Sequence, residues 1–171
     1  MSTDQAAMQR LGEIHLAEAR KSSLRLCSYV TGVFPEEWQN PIVEDCTVQL
    51  LHFSYHARRL NQICALDSFV FRPVDKRVVS FSEGDPGGWQ PSYQHALNGL
   101  HHATSFVFGW AHADHRQLYG KTAANLIPVY VKVETDQFPV MSVSIFGVAD
   151  CFLSEVISVV REKFPRWRTL S

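Results

Sequence analysis

From residue 43 onward, apolar side chains return every three or four positions: Val43, Cys46, Leu50, Phe53, Ala57, Leu60 and Cys64. All seven positions are apolar, the seam of a helix that packs lengthwise against a long neighbour. The pattern predicts a central helix over 43–66. Asn40-Pro41 just ahead reads as its N-cap, since an asparagine oxygen takes an orphan N–H and a first-turn proline has none to lose. Glu44 and Asp45 then complement the positive end of the helix. Upstream, Met8, Leu16, Ala19, Leu26, Val30 and Val33 recur near helical spacing. They predict a first helix over 4–33, weakened at Gly12 and Ser23 and ended by Gly32 and Phe34-Pro35. Only the loop PEEWQN separates the two helices, so they are expected to lie antiparallel as a hairpin.

Beyond Leu66 the periodicity changes. Residues 68–71 and 77–81 read as short extended segments interrupted by Pro73, and 82–88 (SEGDPGG) as the clearest loop. Tyr93, Leu97 and Leu100 predict a third helix over 91–103, while 106–108 fits a strand or a continuation of that helix. Val129, Val131 and Val133 alternate with Tyr130, Lys132 and Glu134, and Met141, Val143 and Ile145 with Ser142 and Ser144. These are two half-buried strands, joined as an antiparallel hairpin through TDQFP. Gly147 opens an amphipathic helix with Ala149, Phe152, Leu153, Val156, Ile157 and Val160 on its apolar face. The expected fold is α+β: an antiparallel long-helix hairpin core, a C-terminal β-hairpin and a final amphipathic helix. Over 1–171 it reads as a single domain.

Composition narrows the function classes. A formal net charge of −1 argues against a protein that coats nucleic acid or an anionic membrane, though not against a local basic site. Cys27, Cys46, Cys64 and Cys151 lie far apart with no CxxC, and at least three fall on predicted core faces, as in a reduced cytoplasmic protein. No apolar h-region or span of about 18 apolar residues occurs, so no membrane partner is expected. Aromatic residues at 12% and charged residues at 19% suggest extensive burial, with a homodimer interface part of it. GxSxG, P-loop, GxGxxG and HExxH patterns are absent, and no cofactor is expected.

The candidate chemistry lies with eight histidines. His52 and His56 share the central helix with Tyr55, Arg58, Arg59 and Gln62, so two imidazoles and two guanidinium groups flank its core face. Cys64 sits on the seam without a nearby base and is not read as a nucleophile. The basic tail REKFPRWRTLS reads either as a phosphate contact or as a helix end that docks its tryptophan. Ala111-His112-Ala113-Asp114-His115 resembles the HxHxDH signature of metallo-β-lactamase-fold hydrolases, with Trp110 in place of the first histidine. That resemblance implies a metal site on His112, Asp114 and His115; the plainer reading is a polar, histidine-rich loop.

A second resemblance covers two segments. Ser54-Tyr55-His56-Ala57-Arg58-Arg59-Leu60 resembles the HAR-x-L helix of small bacterial HEPN-like proteins. Leu97-Asn98-Gly99-Leu100-His101-His102-Ala103-Thr104 is similar to the LN-xxx-H-x-T stretch that follows in them. It implies an RNA-directed role, as a metal-independent ribonuclease or in toxin and defence systems, with His56, Arg58, Asn98 and His102 converging between helices. In such chemistry a guanidinium stabilises the anionic transition state and an imidazole moves protons. Asn98 stands where a ribonuclease would carry arginine, and the hairpin at 127–146 is an addition to a helical bundle. Arg10 and His15 also match the R-x4-H spacing of HEPN ribonucleases, but on the first helix, and are read as surface residues.

Overall fold

The computed structural model describes residues 3–75, 85–113 and 125–167. Helices α1 (Thr3–Thr31) and α2 (Gln39–Cys64) form the expected hairpin. Their contacts run in opposite directions along the two chains: His15 meets His56, Ser22 meets His52, and Arg25 and Tyr29 meet Asp45. The seam of α2 is as the sequence predicts from Cys46 to Cys64; at its head Ile42 is buried and Val43 only half-buried.

The start of α2 differs from expectation. Strand β1 (Phe34–Pro35) and a 3-10 turn (Glu36–Trp38) occupy the anticipated loop, and the turn winds directly into Gln39, whose N–H is taken by the Glu36 carbonyl. With that donor already satisfied, no side-chain cap forms and Asn40 is not one. Pro41 falls in the first turn, where its missing N–H costs nothing. Asp45 lies past that turn and anchors α1 instead, accepting from Arg25 Nε and Nη2 at 3.0 Å each and from the Tyr29 hydroxyl.

Helix α3 (Tyr93–His101) begins at Ser92, whose hydroxyl accepts from the His95 N–H, and leads into strand β2 (Ala103–Ala113). The segment 106–108 is therefore strand, inside an element of 11 residues. Strands β3 (Asn125–Thr135) and β4 (Met141–Ser144) form the predicted antiparallel hairpin, with Val131 opposite Val143. The longer ladder is β2 with β3, and β1 pairs the start of β3 through Phe34 and Leu126. All four β4 residues are buried, where alternation predicted exposed serines. Residues 88–90 cover that edge: the Ser142 N–H donates to the Gly88 carbonyl at 2.8 Å, and the Gln90 N–H to the Ser142 carbonyl at 2.9 Å.

The last helix, α4, runs over 145–163 and includes a π-helical turn at Phe152–Val156. It begins two residues before Gly147, capped by Ser144, whose hydroxyl accepts the Gly147 N–H at 2.9 Å. Phe152 meets Phe53 of α2 edge-on, ring centres 5.6 Å apart, so the π turn and the α2 seam meet in the core. Residues 68–71 form no strand: Phe71 packs on Tyr93 while Gln94 Nε2 holds the Phe69 carbonyl at 2.9 Å. The predicted segment at 77–81 lies outside the described residues. Cys46, Cys64 and Cys151 are buried and Cys27 half-buried, all four as free thiols. Among the described residues no helix is long and apolar enough to cross a membrane.

Candidate functional site

The flank of α2 that faces away from the seam meets α1 on one side and the end of α3 on the other. His15 is 5% exposed, not the surface residue its sequence position suggested, because the hairpin lays α2 across it. Its Nδ1 lies 2.9 Å from His56 Nδ1. One ring must supply the lone pair and the other the proton, so this contact holds at most one proton between the two nitrogens. His52 packs on the other side of His56, ring centres 4.4 Å apart, with its Nδ1 at 3.1 Å from the Ser22 hydroxyl.

From this group the ring contacts continue toward α3. Tyr55 meets His15 and His56 edge-on and stacks on His101 at 6.3 Å with an interplanar angle of 25°. His101 touches His102 at 5.0 Å, and His102 Nε2 lies 3.4 Å from Arg58 Nη1. Two of the residues implied by the HEPN-like resemblance, Arg58 and His102, are thus in contact across α2 and α3. His56 joins them through Tyr55 and His101. Asn98 stands one turn before His102 and faces a separate cavity with His95.

Charge follows burial here. Desolvation, then the neighbouring His52 and His15, pushes His56 down to about 4 against a weaker upward pull from Glu18. Burial, then Arg59, lowers His15; burial, then Arg58 and His102, lowers His101. His56 is therefore a neutral imidazole at pH 7, able to accept a proton. Cys46 and Cys64 move the other way, each pushed up to about 12 chiefly by burial, so neither is a thiolate nucleophile at neutral pH.

The histidine shifts have a consequence for stability. An unfolded chain begins to protonate His56 near pH 6.5 and the folded chain only near pH 4, so the unfolded state holds more protons in between. Stability is expected to be retained above pH 6.5 and to fall as the pH drops from about 6.5 to 4. Discounted for solvent screening, the loss is on the order of 1–2 kcal/mol. Urea midpoints at pH 7.5, 5.5 and 4.5 check this; His56→Gln should flatten the decline, and an unchanged slope in that variant would refute the assignment.

No protein-family model, curated protein or solved structure matches this chain significantly. Among the described residues no three His, Cys, Asp or Glu are grouped to hold a metal ion. His15 and His56 turn their Nδ1 atoms to each other, and His52 turns its own to Ser22. His112 is exposed on β2, while Asp114 and His115 lie outside the described residues. A ligand set joining His112 to His101 or His102 is ruled out by the strand between them, which at about 3.3 Å per residue puts them roughly 30 Å apart.

Local periodicity did not show His15 and His101 as members of this face, nor that Tyr55 stacks on His101. His15 was legible in principle: it and His56 stand about equally far from the turn at 34–38, so an antiparallel hairpin must bring them together. The stacking of Tyr55 on His101 depends on how α3 docks, for which no local pattern exists.

Proposed function

We propose that this is a HEPN-like, RNA-directed protein that cleaves RNA without a metal on the face formed by His56, Arg58 and His102. The observation that carries the reading is the Arg58–His102 contact at 3.4 Å, joined by rings to a His56 held neutral at pH 7. Cleavage at a ribose 2′-hydroxyl needs a base for that proton, a cation for the crowded phosphate and a proton donor for the departing 5′-oxygen. His56 serves as the base, with His15 orienting its ring through the shared Nδ1 contact. Arg58 carries the developing charge, and His102 returns the proton. Tyr55 and His101 offer exposed rings on which an unpaired base can stack.

Purified protein incubated with total RNA in EDTA is expected to cleave it, and His56→Gln and His102→Ala to lower the rate by about 10²- to 10⁴-fold. Equal cleavage by all three preparations would assign the activity to a contaminant and refute the reading.

A second reading, a non-enzymatic homodimer, is favoured by strand β2. It pairs with β3 on one side and has no strand on its other edge among the described residues. From Ala103 to Ala113 it carries no Asp, Glu, Lys or Arg, and Val107 is 61% exposed. Edge strands normally carry charges that deter pairing, so an uncharged edge suits antiparallel pairing with a second copy. Sedimentation equilibrium showing a monomer at all concentrations would remove this reading.

A further inference from the structure

Behind β4, residues 88–90, the outer side of α3 and the loop at 138–140 line an open-sided cavity of about 330 Å³. Its apolar walls are Trp89, Phe138, Pro139 and Met141, and its polar groups are His95 and Asn98 from α3, with Gln90. The volume lies at the lower end of the range for small-molecule sites, which suits one planar ring system and not a larger ligand.

The walls are held before any ligand arrives. Asp85 accepts from the Trp89 indole N–H at 2.6 Å and from the Gly87 N–H at 2.9 Å. Gly87 and Gly88 take φ of +67° and +62°, which lets the chain turn back along β4. The Ser142 hydroxyl then donates to the Gly87 carbonyl at 2.7 Å, and Trp89 rests edge-on against Tyr130 at 5.5 Å.

The polar groups are not used up by the fold. The Asn98 side-chain amide makes no hydrogen bond among the described residues, and so offers a donor and an acceptor side by side. Gln90 spends its oxygen on the Ser92 N–H at 3.1 Å, leaving its NH₂ group. Aromatic walls with an amide at one edge match a nucleobase, which stacks by its faces and pairs by its rim. Adenine fits best, because an amide engages its N6 and N7 together. The cavity also adjoins the face described above: the Asn98 carbonyl accepts the His102 N–H at 3.1 Å, one helical turn away, and His102 meets Arg58.

We propose that this cavity binds an adenine base of single-stranded RNA beside His102 and Arg58, an inference that rests on the RNA reading above. Titration with adenosine 5′-monophosphate, ribose 5-phosphate and a short oligoadenylate tests it. The nucleotide is expected to bind where ribose 5-phosphate does not, and the oligonucleotide to bind more tightly than either. Phe138→Ala and Asn98→Leu are each expected to weaken nucleotide binding about tenfold, the size of one lost base stack or amide pair. Phe138 is 41% exposed, so its truncation leaves the fold intact. No nucleotide binding, equal binding of ribose 5-phosphate, or unchanged affinity in both variants would overturn the cavity as a base site. Equal affinity for nucleotide and oligonucleotide would overturn the RNA strand as the source. Cleavage that depends on His56 while the cavity variants bind normally sinks this inference alone; base binding without cleavage sinks only the catalytic reading.

Discussion

Trp167→Ala is expected to lower the unfolding free energy by about 3–5 kcal/mol, although the residue lies far along a basic tail. The indole is 6% exposed, stacked on Phe164 at 4.7 Å and laid over Gly12 of α1. A Cβ built on Gly12 would come within 2.2 Å of the ring, so the absent side chain is what lets the indole seat. The glycine that appears as a weak point in the first helix is therefore a docking point. Gly12→Ala gives the decisive comparison. In a solvent-exposed helix that change stabilises by about 1 kcal/mol; here it must displace the indole and is expected to destabilise. Combined with Trp167→Ala, it should revert to stabilising. Urea denaturation of the two single variants and the double variant reads the coupling; strictly additive effects would show that the indole does not seat there in solution.

Gly147→Ala is expected to cost about 2–3 kcal/mol, again opposite in sign to the helix propensity of alanine. A Cβ there would stand 2.1 Å from the Val74 carbonyl and 2.9 Å from the Ser144 hydroxyl. The Val74 oxygen belongs to backbone fixed on another side, since the Val74 N–H donates to the Pro91 carbonyl at 2.9 Å. The chain returning from α2 thus crosses the first turn of α4 in contact with its backbone. The carbonyl is backbone, and the Ser144 hydroxyl is tied to the Gly147 N–H as the helix cap. Thermal unfolding of the variant checks the sign; a rise in Tm would refute the close approach.

Much of the architecture was legible along the chain because it rests on short-range periodicity. The α2 seam from Cys46 to Cys64, the alternation at Val129, Val131 and Val133, and the apolar face of α4 each repeat within a few residues. Boundaries were less legible. The Asn40 cap was displaced by a 3-10 turn, and Ser144 took the start of α4 from Gly147, since a cap is decided by which orphan N–H is still free. Strand β2 has no clean alternation of its own and is shaped by its long ladder to β3, a contact between distant residues.

The site divides the same way. By itself the sequence determined that His52, Tyr55, His56, Arg58 and Arg59 share one flank of a helix, because helical geometry follows from local spacing. It also determined that cysteines placed on core faces would be buried thiols. Only the tertiary structure decided that His15 is sealed against His56, that Arg58 meets His102, and that Asn98 turns to a cavity walled by Trp89 and Phe138. Those meetings depend on the angles at which α1 and α3 dock on α2. Docking is set by how whole faces fill space, which no run of neighbouring residues encodes.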